Sequence, residues 1–218
     1  MKPQCKTFRF ALAVCAGLAF AGVGEADFAA GAVAPTIVPV EKLMKIGALP
    51  DIVQGSPAAP DTIIEYASMT CSHCAAFHES VWPRVKSKYV DSGRAKFILR
   101  EFPLDAVAAA GFMLARCAGP EKRNLLIDQL FADQKDWAFT EKPIERLRAE
   151  VKKVEMSDAE FETCLKDQHL FEAVNQTRDL AAAAFEIHAT PTFFVNGHKL
   201  TGEVAIEDFD KILEAPAK

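Results

Sequence analysis

No block of basic residues interrupts this 218-residue chain, in which 25 Lys and Arg face 30 Asp and Glu for a formal net charge of -5. Nothing in that balance would gather phosphates, so nothing points to nucleic acid. Internal repeats and low-complexity tracts are also missing, which removes solenoid and linker-like readings. The uncharged apolar run Phe10 to Val23 is too short to span a bilayer comfortably. What remains is a chain half of whose residues are hydrophobic. That is enough for one well-packed domain, or for a domain carrying a large insertion.

The start of the chain reads as a secretory signal peptide over residues 1–26. Lys2, Lys6 and Arg9 form a positive region, Phe10 to Val23 the apolar one, and small residues follow up to Ala26. A lipoprotein signal at Cys15 is the competing reading, with a bulky Val14 against it. Export would remove Cys5 and Cys15 and leave Cys71, Cys74, Cys117 and Cys164. In an oxidising compartment those four allow two bridges.

Residues 27–60 read as a lead-in arm, with a short helix at Val40 to Ile46 and a short strand near Asp51-Ile52-Val53. The arm has no heptad repeat, which favours a monomer. Thr62 to Tyr66 is β-branched and follows Pro60, as a buried strand would. A helix is predicted from the dithiol at Cys71 through Val85, kinked at Pro83. Ala95 to Phe102 is a second strand. From Asp105 to about Ile187 the pattern is helical. It includes an apolar stripe at Val107, Ala110, Leu114 and Cys117, and a capping box at Ser157-Asp158-Ala159-Glu160. Thr192 to Val195, the turn Asn196-Gly197 and His198 to Thr201 form a hairpin, and Val204 to Leu213 a last helix. The order resembles an α/β, thioredoxin-like fold with an inserted all-helical domain. Residues 61–104 and 188–218 would build the first part and 105–187 the insertion.

The chemistry centres on Cys71-Ser72-His73-Cys74, set where a strand hands over to a helix. A sulfur at a helix N-terminus faces free N–H groups and the positive end of the dipole, and both stabilise a thiolate. His73, when protonated, adds to that potential. Cys71 is therefore the candidate nucleophile, and Cys74, one turn further in, the resolving thiol. A stabilised thiolate favours the reduced protein and makes the disulfide an oxidant. Other uses of the pair find less support. Its loop is too small to stabilise much as a structural bridge. A zinc site lacks a second CxxC or an HxxxH, and haem attachment would need His where residue 75 is Ala.

Glu65 stands inside the apolar run Ile63-Ile64-Glu65-Tyr66. An acid there is costly unless partnered or protonated, and beside a dithiol it can exchange a proton with Cys74. The alternative is a carboxylate facing water at a sheet edge. Thr190-Pro191 opens a strand. A cis bond there would present the Thr190 backbone to a substrate strand beside Cys71. His188 is a candidate for the same groove. His78 reads as facing solvent or a neighbour, His169 as surface, and Trp82 and Trp137 as core.

Ile64 to His78 together with Ala189 to Gly197 resembles the DsbA family of exported thiol–disulfide oxidoreductases, and most closely its α-proteobacterial type with a second disulfide. The resemblance runs from about Pro50 to Leu213. It implies Cys71 as the attacked cysteine, Cys74 as its partner, Glu65 as a buried acid and Thr190-Pro191 as the cis-proline loop. It also implies a periplasmic location, reduced exported proteins as substrates, a DsbB-like, quinone-linked membrane oxidase as partner, and no metal or organic cofactor. Ser72 departs from the Pro common in the family, which bears on oxidising strength and partner choice. Cys117 and Cys164 lie on apolar helix faces. They are either a bridge across a helix pair or two inert buried thiols, and export with the resemblance favours the bridge. Beside the oxidase reading stand a disulfide isomerase or reductase of the same fold, and a metal-binding module that uses the CxxC.

Overall fold

Each strand of the central sheet can be traced to the sequence pattern. The computed structural model describes residues 37–45 and 47–215. The expected signal peptide and the first part of the arm lie outside the described residues. Helix α1 (Val40–Leu43) leads to strand β1 (Ile52–Gln54) and then to β2 (Asp61–Ala67). After the dithiol come α2 (Ser72–Ser80), α3 (Trp82–Val85) and a π-turn at Lys86–Val90, followed by β3 (Ala95–Glu101). The helical block is α4 (Ala106–Cys117), α5 (Gly119–Ala132), α6 (Gln134–Trp137), α7 (Pro143–Lys152), α8 (Asp158–Leu165) and α9 (Gln168–Phe185). The chain closes with β4 (Thr192–Val195), β5 (His198–Thr201) and α10 (Ile206–Leu213).

The strand order is β1-β3-β2-β4-β5. Only the β2–β3 pair is parallel; β1–β3, β2–β4 and β4–β5 are antiparallel. β2 is central and buried on both faces, which explains its nearly unbroken apolar run. Alternation divides its side chains between two apolar clusters. Ile63 and Ala67 pack with Phe97, Phe193, Phe77 and the helical block, while Ile64 and Tyr66 pack with Leu43, Phe185 and Phe194. Glu65 shares the parity of Ile63 and Ala67, so the strand aims it toward α2.

Three local signals decide the rest. Asn196 and Gly197 both take positive φ, 47° and 86°, as a tight hairpin turn demands. A Cβ on Gly197 would lie 2.2 Å from the Val38 carbonyl oxygen, so only glycine fits there. Ser157 and Glu160 form the predicted capping box at the start of α8. The predicted kinked helix is instead two helices separated at Val81, with Pro83 in the first turn of α3. Proline has no N–H to donate to the preceding turn, so the chain restarts where that loss costs nothing.

On the face opposite α2, Arg100 is buried and ties the start of the described chain to the sheet. It donates to Asp51 Oδ1 and Oδ2 at 2.7 and 3.0 Å, to Leu43 O at 2.8 Å and to Tyr66 OH at 2.8 Å. In the helical block, Cys117 of α4 and Cys164 of α8 are joined by an S–S bond of 2.10 Å that closes a 47-residue separation. Among the described residues no helix is long and apolar enough to cross a membrane.

Candidate active site

β2 ends at Ala67, and three residues carry the chain to Cys71, the N-cap of α2. That short loop is held from several sides. Ser68 Oγ accepts from Leu104 N at 3.2 Å. Thr70 donates to Asp105 Oδ2 at 2.6 Å, while Asp105 Oδ1 caps α4 through Ala108 N at 2.7 Å. Gln134 of α6 is buried and donates to Met69 O at 2.9 Å and Cys71 O at 3.0 Å. A Cβ on Gly111 of α4 would press to 3.2 Å from Met69 Cγ, so this helix packs directly on the loop. The helical block therefore fixes the turn on which the dithiol sits.

Cys71 and Cys74 are free thiols with different surroundings: Cys71 is half-buried, and Cys74 is fully buried. Cys71 Sγ donates to the carbonyl oxygen of Thr190 at 3.2 Å. The Cys71 thiol is pulled from 9.0 down to about 5. The first cause is the hydrogen bond from Cys74. Burial opposes it, and the Thr190 side chain and the N–H groups of Cys74 and His73 assist. A thiolate has no proton to give the Thr190 carbonyl. The Thr190 hydroxyl, buried and without a partner, is then the matching donor. Cys74 shifts the opposite way, well above the usual thiol range. Burial is the main reason, followed by its bond to Cys71 and the charge of Glu65.

Glu65 is fully buried on the sheet beneath α2. Its Oε2 lies 2.9 Å from His78 Nε2, and its Oε1 has no hydrogen-bond partner. His78 is thus not a solvent-facing residue. Its ring stacks on Phe131 at 4.1 Å and meets Phe77 edge-on at 5.4 Å. The sequence held a signal for this contact. His78 follows Cys74 by four residues, so both project from one face of α2, the face that meets β2. Gln134 carried no such signal, because nothing near it in sequence belongs to the site.

The remaining candidates are placed as follows. His73 is exposed, with Nε2 3.6 Å from Glu203 Oε1 in the loop after β5. Ser72 is exposed beside it. The Thr190–Pro191 bond is cis, and both residues are buried at the start of β4. His188 is exposed in the loop that leads to them, and His169 is on the surface. Trp82 and Trp137 are in the core. Among the described residues no group of three or more His, Cys, Asp or Glu side chains could hold a metal ion.

A family model described as thioredoxin matches residues 48–215. A chain of Rickettsia felis named as a protein-disulfide oxidoreductase is 31% identical over 185 residues, covering 83% of this chain and 66% of the relative. A similarly named chain of Rickettsia typhi is 32% identical, covering 67% of this chain and 55% of the relative. The chain thus spans between about half and two thirds of these relatives. Among solved structures, Wolbachia pipientis alpha-DsbA1 is 29% identical with a TM-score of 0.70, covering 78% of this chain and 93% of that one.

Proposed function

The chain belongs to the DsbA family of thioredoxin-fold proteins, and on that premise we propose that it introduces disulfide bonds into exported proteins as a periplasmic thiol–disulfide oxidoreductase. One observation carries the reading: of two free sulfurs at the start of α2, Cys71 Sγ is half-buried and 3.2 Å from the Thr190 carbonyl oxygen, whereas Cys74 is fully buried, an asymmetry that lowers the first thiol and raises the second. Such a pair has one good leaving sulfur at the surface and one sulfur that prefers to stay protonated inside. The Cys117–Cys164 bond supports an oxidising compartment.

In the oxidised protein a substrate thiolate attacks Cys71 Sγ. The Cys71–Cys74 bond breaks, and its electron pair goes to Cys74, which takes up a proton with Glu65 as the nearby acid. A second substrate thiolate attacks the substrate sulfur of the mixed disulfide. Cys71 then leaves as a thiolate, held by the Cys74 thiol, by Thr190, by the amides of α2 and by His73 when protonated. The substrate gains a disulfide and the protein is left reduced. Ser72, His188, Thr190 and Pro191 form the rim that receives the substrate chain. A DsbB-like, quinone-linked membrane oxidase restores the disulfide, and the protein works as a monomer without metal or organic cofactor. Residues 61–104 and 188–218 act as the thioredoxin-like domain, and residues 105–187 as the helical domain that clamps the dithiol loop.

The test is oxidative refolding of reduced ribonuclease by the oxidised protein, run beside refolding of scrambled ribonuclease and reduction of insulin. An oxidase drives the first strongly and the other two weakly. An isomerase or reductase reverses that order. A Cys71→Ser variant that oxidises client thiols as fast as the parent overturns the reading.

A further inference from the structure

Three buried polar atoms without a hydrogen-bond partner belong to neighbouring side chains behind the dithiol: Glu65 Oε1, His78 Nδ1 and Asp128 Oδ1. Buried polar atoms are normally paired, so a row of three calls for a physical reason. The links between them are short. Glu65 Oε2 is 2.9 Å from His78 Nε2, and His78 Nδ1 is 3.9 Å from Asp128 Oδ1. A single bridging water or a small rotation spans the second gap. Both ends of the row are open to use. Glu65 is fully buried and its charge reaches Cys74, whereas the Asp128 side chain on α5 is 46% exposed.

We propose that Glu65, His78 and Asp128 form a proton relay between solvent and the Cys74 sulfur. The inference rests on the oxidase reading and supplies the proton which that reading needs. When the Cys71–Cys74 bond breaks, Cys74 receives the electron pair and Glu65 gives it a proton. His78 returns a proton to Glu65 from Nε2 while Nδ1 takes one from Asp128, and Asp128 is recharged from water. No electrons move through the relay; Glu65 and Asp128 end protonated as they began, and His78 ends as its Nδ1–H tautomer until the reverse passage resets it. Reoxidation of the dithiol runs the same path outward.

The surroundings suit this traffic. Phe131 and Phe77 fix the plane of the His78 ring, so its two nitrogens point at two different carboxyl groups. Glu65 on β2 and Asp128 on α5 are the charged groups within ion-pair reach of His78. Cys74 feels the charge of Glu65 from α2. Lys86 and Trp82 act on Asp128 from the π-turn and α3. Burial keeps the Asp128 carboxyl above the ordinary range, against the pull of His78, Lys86 and Trp82, so it is a better proton donor near neutrality than a free carboxylate. A purely structural His78–Glu65 bond would explain the first link but not the two open atoms beyond it.

The test is single-turnover oxidation of a reduced dithiol peptide by the full-length oxidised protein, measured against pH in water and in deuterium oxide. Asp128→Asn is expected to slow the reaction about tenfold near neutral pH. It should also enlarge the solvent isotope effect, and added imidazole should restore the rate by replacing the lost surface donor. His78→Gln should give the same pH profile, and the double variant should be no slower than either single one. Should His78→Gln fail to fold, Asp128→Asn decides alone, because its side chain is partly exposed. The relay is overturned if Asp128→Asn keeps the parent's rate, pH profile and isotope effect. It is equally overturned if the variant is slow with an unchanged isotope effect and no response to imidazole. A parent protein that does not oxidise the peptide at all overturns the oxidase reading itself, and the relay with it.

Discussion

Cys71 Sγ and the carbonyl oxygen of Thr190 are 3.2 Å apart although 119 residues separate them in the chain. The contact joins the N-terminus of α2 to the start of β4, so the dithiol and the cis-proline loop form one surface. It also makes the Cys71 environment depend on its protonation state. The thiol donates to a carbonyl, whereas the thiolate needs donors, and the Cys74 thiol, the Thr190 hydroxyl and the amides of α2 supply them.

A first prediction concerns pH. The thiolate absorbance of the reduced protein should titrate near pH 5, and Cys71→Ser should abolish that transition. Stability follows from linkage. Between about 5 and the ordinary thiol range, the unfolded chain binds a proton at this position that the folded chain has lost. Stability from Cys71 is thus complete above the unfolded value and fades as pH falls through about 5. Cys74 has the opposite sign: its raised value contributes stability at low pH that is lost on the alkaline side. Thermal unfolding of the reduced protein, compared with the oxidised, should show a reduced-form advantage that rises from about pH 5 up to the ordinary thiol range and declines beyond it. An advantage independent of pH would contradict the assignment.

Thr190→Val keeps the shape of the side chain and removes its hydroxyl. A hydrogen bond to a charged group contributes about 1.5–3 kcal/mol, and one pKa unit corresponds to about 1.4 kcal/mol. The Cys71 titration should therefore move upward by about one to two units, and the disulfide should become a weaker oxidant. The same absorbance titration, with a glutathione equilibrium beside it, reads both effects. An unmoved titration would leave stabilisation of the thiolate to Cys74 and the backbone amides alone.

Replacing Cys117 and Cys164 together by Ala should cost stability without touching the dithiol. The bond closes a 47-residue separation, and loop-closure entropy puts its worth at about 3–4 kcal/mol. Urea unfolding of the double variant against the parent checks the figure. Cys117 is exposed on α4 and Cys164 is buried in α8, so part of the loss will come from the smaller side chain at 164.

How much of this is legible in the sequence depends on how local each feature is. The dithiol, its strand and Glu65 lie within one short stretch, Asp61 to Cys74, and strand alternation with the helix period already puts them together. The hairpin is written in Asn196-Gly197, and the start of α8 in its capping box. Pro83 signals a break without saying whether the chain bends or restarts, so a kinked helix and two separate helices look alike in sequence. A histidine such as His78 reads as surface until the helix face it shares with Cys74 is weighed. Asp128 and Gln134 are invisible at that level, since each reaches the site only through the packing of the helical block against α2 and its loop.

Gln134 gives the last prediction. Its amide nitrogen serves two carbonyls, Met69 O and Cys71 O, at 2.9 and 3.0 Å, and the side chain is buried. Gln134→Ala leaves both acceptors without that donor, at a cost of about 1–3 kcal/mol. The loss falls on the turn that aims the Cys71 sulfur at Thr190, so the effect should not be confined to stability. Peptide oxidation should slow even at temperatures where the variant is fully folded, and the Cys71 titration should shift upward as the turn loosens. Gln134→Glu retains the shape but offers acceptors to acceptors, so it should be the worse of the two while ionised. Urea unfolding, thiolate titration and single-turnover rates separate the contributions. A variant that loses stability but keeps the parent's titration and rate would show that the clamp holds the helical block in place without aligning the nucleophile.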